Sequence, residues 1–263
     1  MEKTKCKAPK RCSKKKRKLI KREKKMETVI HKANTRGFAD HGWLKSYHTF
    51  SFASYQNPER MNFGMLRVLN DDVVQPNMGF GTHPHKNMEI ISIPLTGALS
   101  HKDSMGNKRA IEVGEVQVMS AGTGLAHSEF NDSKTDETNF LQLWIIPEEM
   151  NVKPNYEQRR FGAELQQNKL QTVVAPKDNL DGDALPISQQ AYIYRAHLDG
   201  GKSISLAVKN KNNGLYIFLV DGKLQVDGNR LNSRDAIGIW DVQDATIKAL
   251  SNSKVIVIEV PMN

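Results

Sequence analysis

From residue 26 onward, apolar residues come in short runs, often alternating with polar ones, and glycine, proline or acidic clusters break the runs. Period-two alternation predicts half-buried strands. Strand candidates fall at 28–31, 64–70, 98–103 and 116–119. A further run at 140–146, FLQLWII, stops at Pro147. Residues 34–40, with Gly37, read as a loop, and Asp71-Asp72 as a turn. DSMGN at 103–107 reads as a hairpin turn with Gly106. The aromatic stretch 43–52, WLKSYHTFSF, alternates only partly. Tyr47, Thr49 and Ser51 share one parity, and His48, Phe50 and Phe52 the other. Strands at this even spacing predict an all-β barrel or jelly roll. Residues 151–165 are polar, and 178–187 is a Gly/Pro/Asp-rich loop. A second β pattern then occupies 191–197, 202–208, 215–221, 223–226, 236–240, 246–249 and 254–259, with Gly222 and Gly228 at tight turns. The expected organisation is a first domain over 26–150, a connection over 151–190 and a second domain over 191–263.

Charge changes the picture at one end only. The chain has 263 residues and a net charge of +9, but residues 1–25 hold 14 of its 38 Lys/Arg and 2 of its 29 Asp/Glu. The remaining body carries 24 basic and 27 acidic side chains. The body is therefore mildly acidic, and no nucleic-acid-binding face is expected on it. Residues 1–25 are predicted to be a disordered, self-repelling basic tail. Its run Lys14 to Lys18 can serve as a nuclear signal or a phosphate-binding arm. The plainer reading is a solvated tail or an extension ahead of a start at Met26. Both cysteines, Cys6 and Cys12, lie in this tail, so the body has no disulfide framework. No apolar run reaches membrane-spanning length and no secretory segment is evident, which predicts a cytoplasmic protein without a membrane partner.

The candidate chemistry sits between Gly79 and Asn131. His83 and His85 are two residues apart, ahead of the alternating Ile91, Ile93 and Leu95. Two such side chains on a strand point to one face. His127 and Glu129 repeat that spacing on another predicted strand. Three imidazoles and a carboxylate form a nitrogen and oxygen donor set that suits Fe(II), Ni, Co, Cu, Mn or Zn. Either pair alone is weak, because Pro84 could mark a simple turn; the two together point to a metal. The second half has one histidine, His197, with no partner beside it, and reads as a packing domain without a metal.

The spacing Gly79…His83-Pro84-His85-(x3)-Glu89…Gly97, followed by Gly114…Gly124-(x2)-His127-(x3)-Asn131, resembles the two signature motifs of the cupin superfamily. HTFSFASY at 48–55, HKDSMGN at 101–107, MSAGTGLAHSEFN at 119–131 and LQLWIIP at 141–147 resemble the pirin family of bicupins, and in particular its bacterial quercetin 2,3-dioxygenases. The resemblance runs from about Met26 to the C-terminus. It implies two cupin jelly-roll barrels, with His83, His85, His127 and Glu129 as ligands of one divalent transition metal, iron(II) first. Glu89, where many cupins place their carboxylate ligand, takes a supporting role. Implied partners are a flavonol and dioxygen, with Glu129 as general base, and the protein is expected to be a monomer. Phe50, Phe52, Phe80 and Trp144 are candidates for the apolar pocket wall, with a core position the default for each. One departure is Asn232-Ser233-Arg234-Asp235, where a Gly-Asp turn would be usual. The rival reading is a non-enzymatic, metal-dependent transcription co-regulator, which the basic tail would suit. A third is a closed structural metal site.

Overall fold

The computed structural model describes residues 26–263, apart from the side chains of residues 164 and 165. The basic tail expected over 1–25, with its Lys14 to Lys18 run and both cysteines, lies outside these residues. The described chain is all-β, with only two short 3-10 turns, Ala33–Thr35 and Ala163–Gln166. None of its helices is long and apolar enough to cross a membrane.

Four sheets form two sandwiches. In the first half, a seven-stranded sheet runs in the order Asn155–Arg160, Glu115–Ser120, Glu89–Thr96, Thr138–Ile145, Leu66–Val74, Leu44–His48 and Gly37–Asp40. A four-stranded sheet, Gly79–His85, Leu125–Asn131, Ala98–Asp103 and Lys108–Glu112, closes over it. The second half repeats the plan: a seven-stranded sheet is paired with a four-stranded one built on Ser203–Ala207 and Asp244–Ala249. This is the two-barrel architecture that the cupin resemblance implies. The strands do not divide in chain order. Glu27–His31 pairs with Ala236–Trp240 in the second half, and Asn155–Arg160 pairs with Glu115–Ser120 in the first.

Alternation explains where the cores sit. Ile91, Ile93, Leu141 and Leu143 face outward from the first barrel. They pack with Phe218, Ile256 and Ile258 into one apolar layer between the two large sheets. The interior of the second barrel is filled by apolar side chains such as Tyr194, Leu215, Ile237 and Val257. The interior of the first is not, and that difference leaves room for a site.

The hairpin at Asp103 to Asn107 forms as expected, with Gly106 at φ +95° joining Ala98–Asp103 to Lys108–Glu112. Three local expectations are corrected. Residues 37–40 form the strand Gly37–Asp40 rather than a loop. Asn155–Arg160 is a strand within the polar stretch 151–165, where no strand was expected. Asp71-Asp72 is not a turn but lies inside the nine-residue strand Leu66–Val74. Polarity misleads there because both carboxylates are buried and partnered. Asp71 pairs with Arg36 at 3.1 Å and Arg234 at 3.2 Å, and accepts a hydrogen bond from Asn139 Nδ2 at 2.8 Å. Arg234 comes from the unusual turn at 232–235 and adopts φ +68°. A glycine would relax that backbone, but only a long cationic side chain reaches across to Asp71.

Removing Asp71 would strand a guanidinium, since the Arg36 side chain is only 5% exposed. Asp71→Ala is expected to lower unfolding free energy by about 3 kcal/mol, read by chemical denaturation, because breaking one side of a buried pair leaves an uncompensated charge. A loss below about 1 kcal/mol, the range of exposed pairs, would show that the contact does not join the halves.

Candidate metal centre

Gly79–His85 is an edge strand of the four-stranded sheet, which is where a strand tolerates a proline such as Pro84. Period two sends the rings of His83 and His85 to the same side. The neighbouring strand Leu125–Asn131 sets His127 directly opposite His83 and Leu125 opposite His85. A bulge between His127 and Glu129 then shifts the register, so that Glu129 pairs with Phe80. Bulges beside functional sites re-aim a side chain in this way. Each of His83, His85 and His127 offers a ring nitrogen, and these atoms all lie within 4.8 Å of one another. His101, His127 and Glu129 form a second such group. The expected residues therefore converge, with His127 common to both groups and Glu129 joined through it.

The ring orientations are set locally. His83 Nδ1–H donates to the Gly81 carbonyl at 2.8 Å, which leaves Nε2 as the free donor to a metal. Trp144 meets His85 edge-on, with centroids 5.0 Å apart. Burial, reinforced by the adjacent imidazoles, pulls His127 down to about 2; burial and His83 pull His85 down to about 4. Both rings are thus neutral, the form that ligates metals. Glu129 lies at 2% exposure, and burial pushes its carboxyl up. Ser92 Oγ donates to Oε1 at 3.1 Å and Gln142 Nε2 to Oε2 at 2.9 Å.

These residues fit a metal. His127 Nε2 is buried and has no hydrogen-bond partner. An orphaned lone pair of that kind is costly, and it is accounted for by a cation shared with the neighbouring imidazoles. Glu89 belongs to neither group; Ser120 Oγ donates to its buried carboxylate at 2.6 Å.

The centre opens into a cavity of about 480 Å³. His83, His85 and Glu129 reach its lining. Trp43, Phe52, Phe80 and Trp144 supply an aromatic wall, with Phe52 edge-on to Trp144 at 5.3 Å and Trp43 edge-on to Phe80 at 5.2 Å. Phe50 is the correction. The chain bends after Leu44–His48 and turns Phe50 into the apolar layer between the halves, at 1% exposure, against His31 and Tyr216. Polar side chains line the rest: Ser46, His48, Asn70, Asp72 and Gln142. His48 Nδ1–H donates to Asn70 Oδ1 at 3.0 Å, and Ser46 donates to Asp72. Burial raises the Asp72 carboxyl to about 7.

Sequence reasoning missed these polar residues, together with Trp43 and His101. A signal existed: a lone polar residue inside an otherwise apolar strand, as at Gln142 in FLQLWII, is expensive unless it serves a site. His101 and Asp103 also repeat the two-residue spacing, and their side chains lie 3.3 Å apart.

Comparison with known proteins places the chain in a family. Residues 29–145 match the pirin family and 172–260 match the quercetinase C-terminal cupin domain. The chain is 46% identical to quercetin 2,3-dioxygenase of Escherichia coli strain K12 over 233 residues, 88% of this chain and 98% of that protein. A pirin-like protein of Caulobacter vibrioides is 41% identical over 85% of this chain and 95% of its own length. The crystal structure of a bacterial pirin from E. coli in complex with nickel(II) superposes with a TM-score of 0.84 at 43% identity, covering 89% of this chain and 99% of that one.

Gln142→Leu removes a donor that holds Glu129 without touching the imidazoles. It is expected to weaken nickel(II) binding roughly 10- to 100-fold, measured by competition with a chelator, as loss of a supporting hydrogen bond commonly does. Unchanged affinity would mean that Glu129 is not held in place through Gln142.

Proposed function

This chain belongs to the pirin family, and we propose that it is a metal-dependent dioxygenase that cleaves a flavonol such as quercetin. One observation carries the reading: neutral imidazoles and a buried carboxylate meet at a cavity that is aromatic on one wall and hydrogen-bonding on the other. His83, His85, His127 and Glu129 are the proposed ligands of one divalent transition metal. Iron(II) is the first choice; nickel(II), the metal in the E. coli pirin structure, also suits the donor set, as do cobalt, copper, manganese and zinc. When bound there, such an ion would act as a Lewis acid that lowers the pKa of a flavonol hydroxyl.

The chain's own residues bind, orient and deprotonate the substrate. A cavity of about 480 Å³ is within the usual range for a small-molecule site. Trp43, Phe52, Phe80 and Trp144 would hold a flat ring system and exclude water around it. His48, Asn70 and Asp72 would orient its hydroxyl and carbonyl oxygens. Asp72, raised to about 7 by burial, keeps a proton in slightly acidic solution and can then donate to a substrate oxygen. Glu129 is the proposed general base. Burial raises its pKa and so strengthens it as a proton acceptor, while Ser92 and Gln142 keep both carboxylate oxygens in place. Residues 26–150 would then form the metal-binding domain, 151–190 the connection and 191–263 the supporting domain, with Glu27–His31 lent to the latter's sheet.

The test is anaerobic metal analysis of the purified protein, followed by oxygen uptake and carbon monoxide release with quercetin, wild type beside His127→Ala. The expected result is about one metal per chain and turnover that falls by at least about 100-fold in the variant, as loss of an essential group does. Bound metal without turnover would replace the enzyme by a regulatory metal protein. Absence of metal would overturn the reading.

A further inference from the structure

A second cavity, of about 380 Å³, lies where the apolar layer between the two large sheets runs out. It is on the outward face of the large first-half sheet, whose inward-facing Ser92 and Gln142 hold Glu129. Ile93, Leu95, Phe161 and Val220 give it apolar walls. Its remaining character is cationic. Arg195 and His197 alternate onto one face of the strand Tyr192–Leu198, and the adjacent strand sets Ile256 opposite Arg195 and Lys254 opposite His197. Arg195, His197 and Lys254 thus stand side by side in the lining.

Arg195 is the unusual member. It is 7% exposed, yet every partner it has is neutral: Nε donates to Gln171 Oε1 at 2.8 Å, Nη2 to the Phe161 carbonyl at 2.9 Å and Nη1 to the Gly114 carbonyl at 3.4 Å. Among the described residues, no carboxylate lies within ion-pair distance of it, and none lines the cavity. The other guanidinium there, Arg160, is already paired with Glu112 and Glu115. Neutral acceptors satisfy N–H groups but do not cancel a charge, so a buried guanidinium with no carboxylate partner among the described residues is expensive. Its pKa falls only to about 10 under burial, so it remains charged at neutral pH. Three hydrogen bonds also leave two of its five N–H groups unused. Lys254, exposed at the mouth, adds a second positive charge.

We propose that this cavity is a second ligand site, separate from the metal centre, which takes a small organic carboxylate with an apolar body. The carboxylate meets Arg195 and Lys254, and the apolar part lies against Phe161 and Ile93. The metal reading is not required for this inference.

Isothermal titration of the metal-loaded full-length protein with naphthalene-2-carboxylate tests it, beside the neutral naphthalene-2-carboxamide of the same shape. The carboxylate is expected to bind at one equivalent and at least about tenfold tighter than the amide. Lys254→Glu, a change at an exposed position that the fold does not need, is expected to weaken it by about tenfold or more. His127→Ala, which disables the metal centre, is expected to leave the affinity unchanged. Equal affinity for acid and amide, no saturable binding, or indifference to Lys254→Glu would overturn the proposal. So would loss of binding in His127→Ala, which would place the carboxylate at the metal centre instead.

Discussion

The first barrel has to bury polar groups and satisfy them, and the rest of the site depends on how it does so. His48, Asn70, Gln142, Ser92, Gln117 and Gln158 stand directly opposite one another on adjacent strands, one residue from each. They form a polar row across the inner face of the large sheet. Glu129, from the opposing small sheet, is anchored on the middle of that row by Gln142 and Ser92. Each unsatisfied group in such an interior costs about 1–3 kcal/mol, and Gln117 is the row's exception, with both polar side-chain atoms buried and without a hydrogen-bond partner. It is also only as reliable as the strand register. A slip of one residue would send all of its members to the outer face and bring leucines and isoleucines inward.

The same alternation divides the labour of adjacent residues. Asn70 and Asp72 point into the barrel and line the cavity, whereas Asp71 between them faces outward and pairs with Arg36 and Arg234. Three consecutive polar residues in one strand thereby serve two unrelated ends, the lining of the cavity and the joining of the halves. The crossing strands add to that joining. The second half's large sheet takes in Glu27–His31 from the start of the described chain, so its edge is completed by a segment from the first half.

Contrast between the two barrels explains why one holds a site. They share a plan, but the second fills most of its interior with apolar side chains, and its buried Glu259 accepts hydrogen bonds from Tyr194 and Asn213. The first replaces that filling with imidazoles, amides and carboxylates, and the volume not taken by aliphatic chains becomes the cavity. Outside the barrel, the apolar layer between the halves ends at Arg195, where a charge again takes the place of packing.

Much of this was legible in the residues alone. The period of a strand is two, so His83-x-His85 and His127-x-Glu129 could be read as two convergent pairs without knowing how the strands met. The hairpin at Gly106 and the all-β rhythm were legible for the same reason, because each depends on neighbours in sequence. What remained hidden depends on neighbours in space. The bulge that re-aims Glu129, the polar row behind it and the place of His101 beside His127 arise from pairing between strands far apart in the chain. Phe50 and Phe52 share a parity, but the chain leaves the strand before them, so one enters the layer between the halves and the other the cavity. Local spacing thus determined which side chains could act together. Long-range register alone decided what supports them, because hydrogen bonds between strands carry no trace in the spacing of either one.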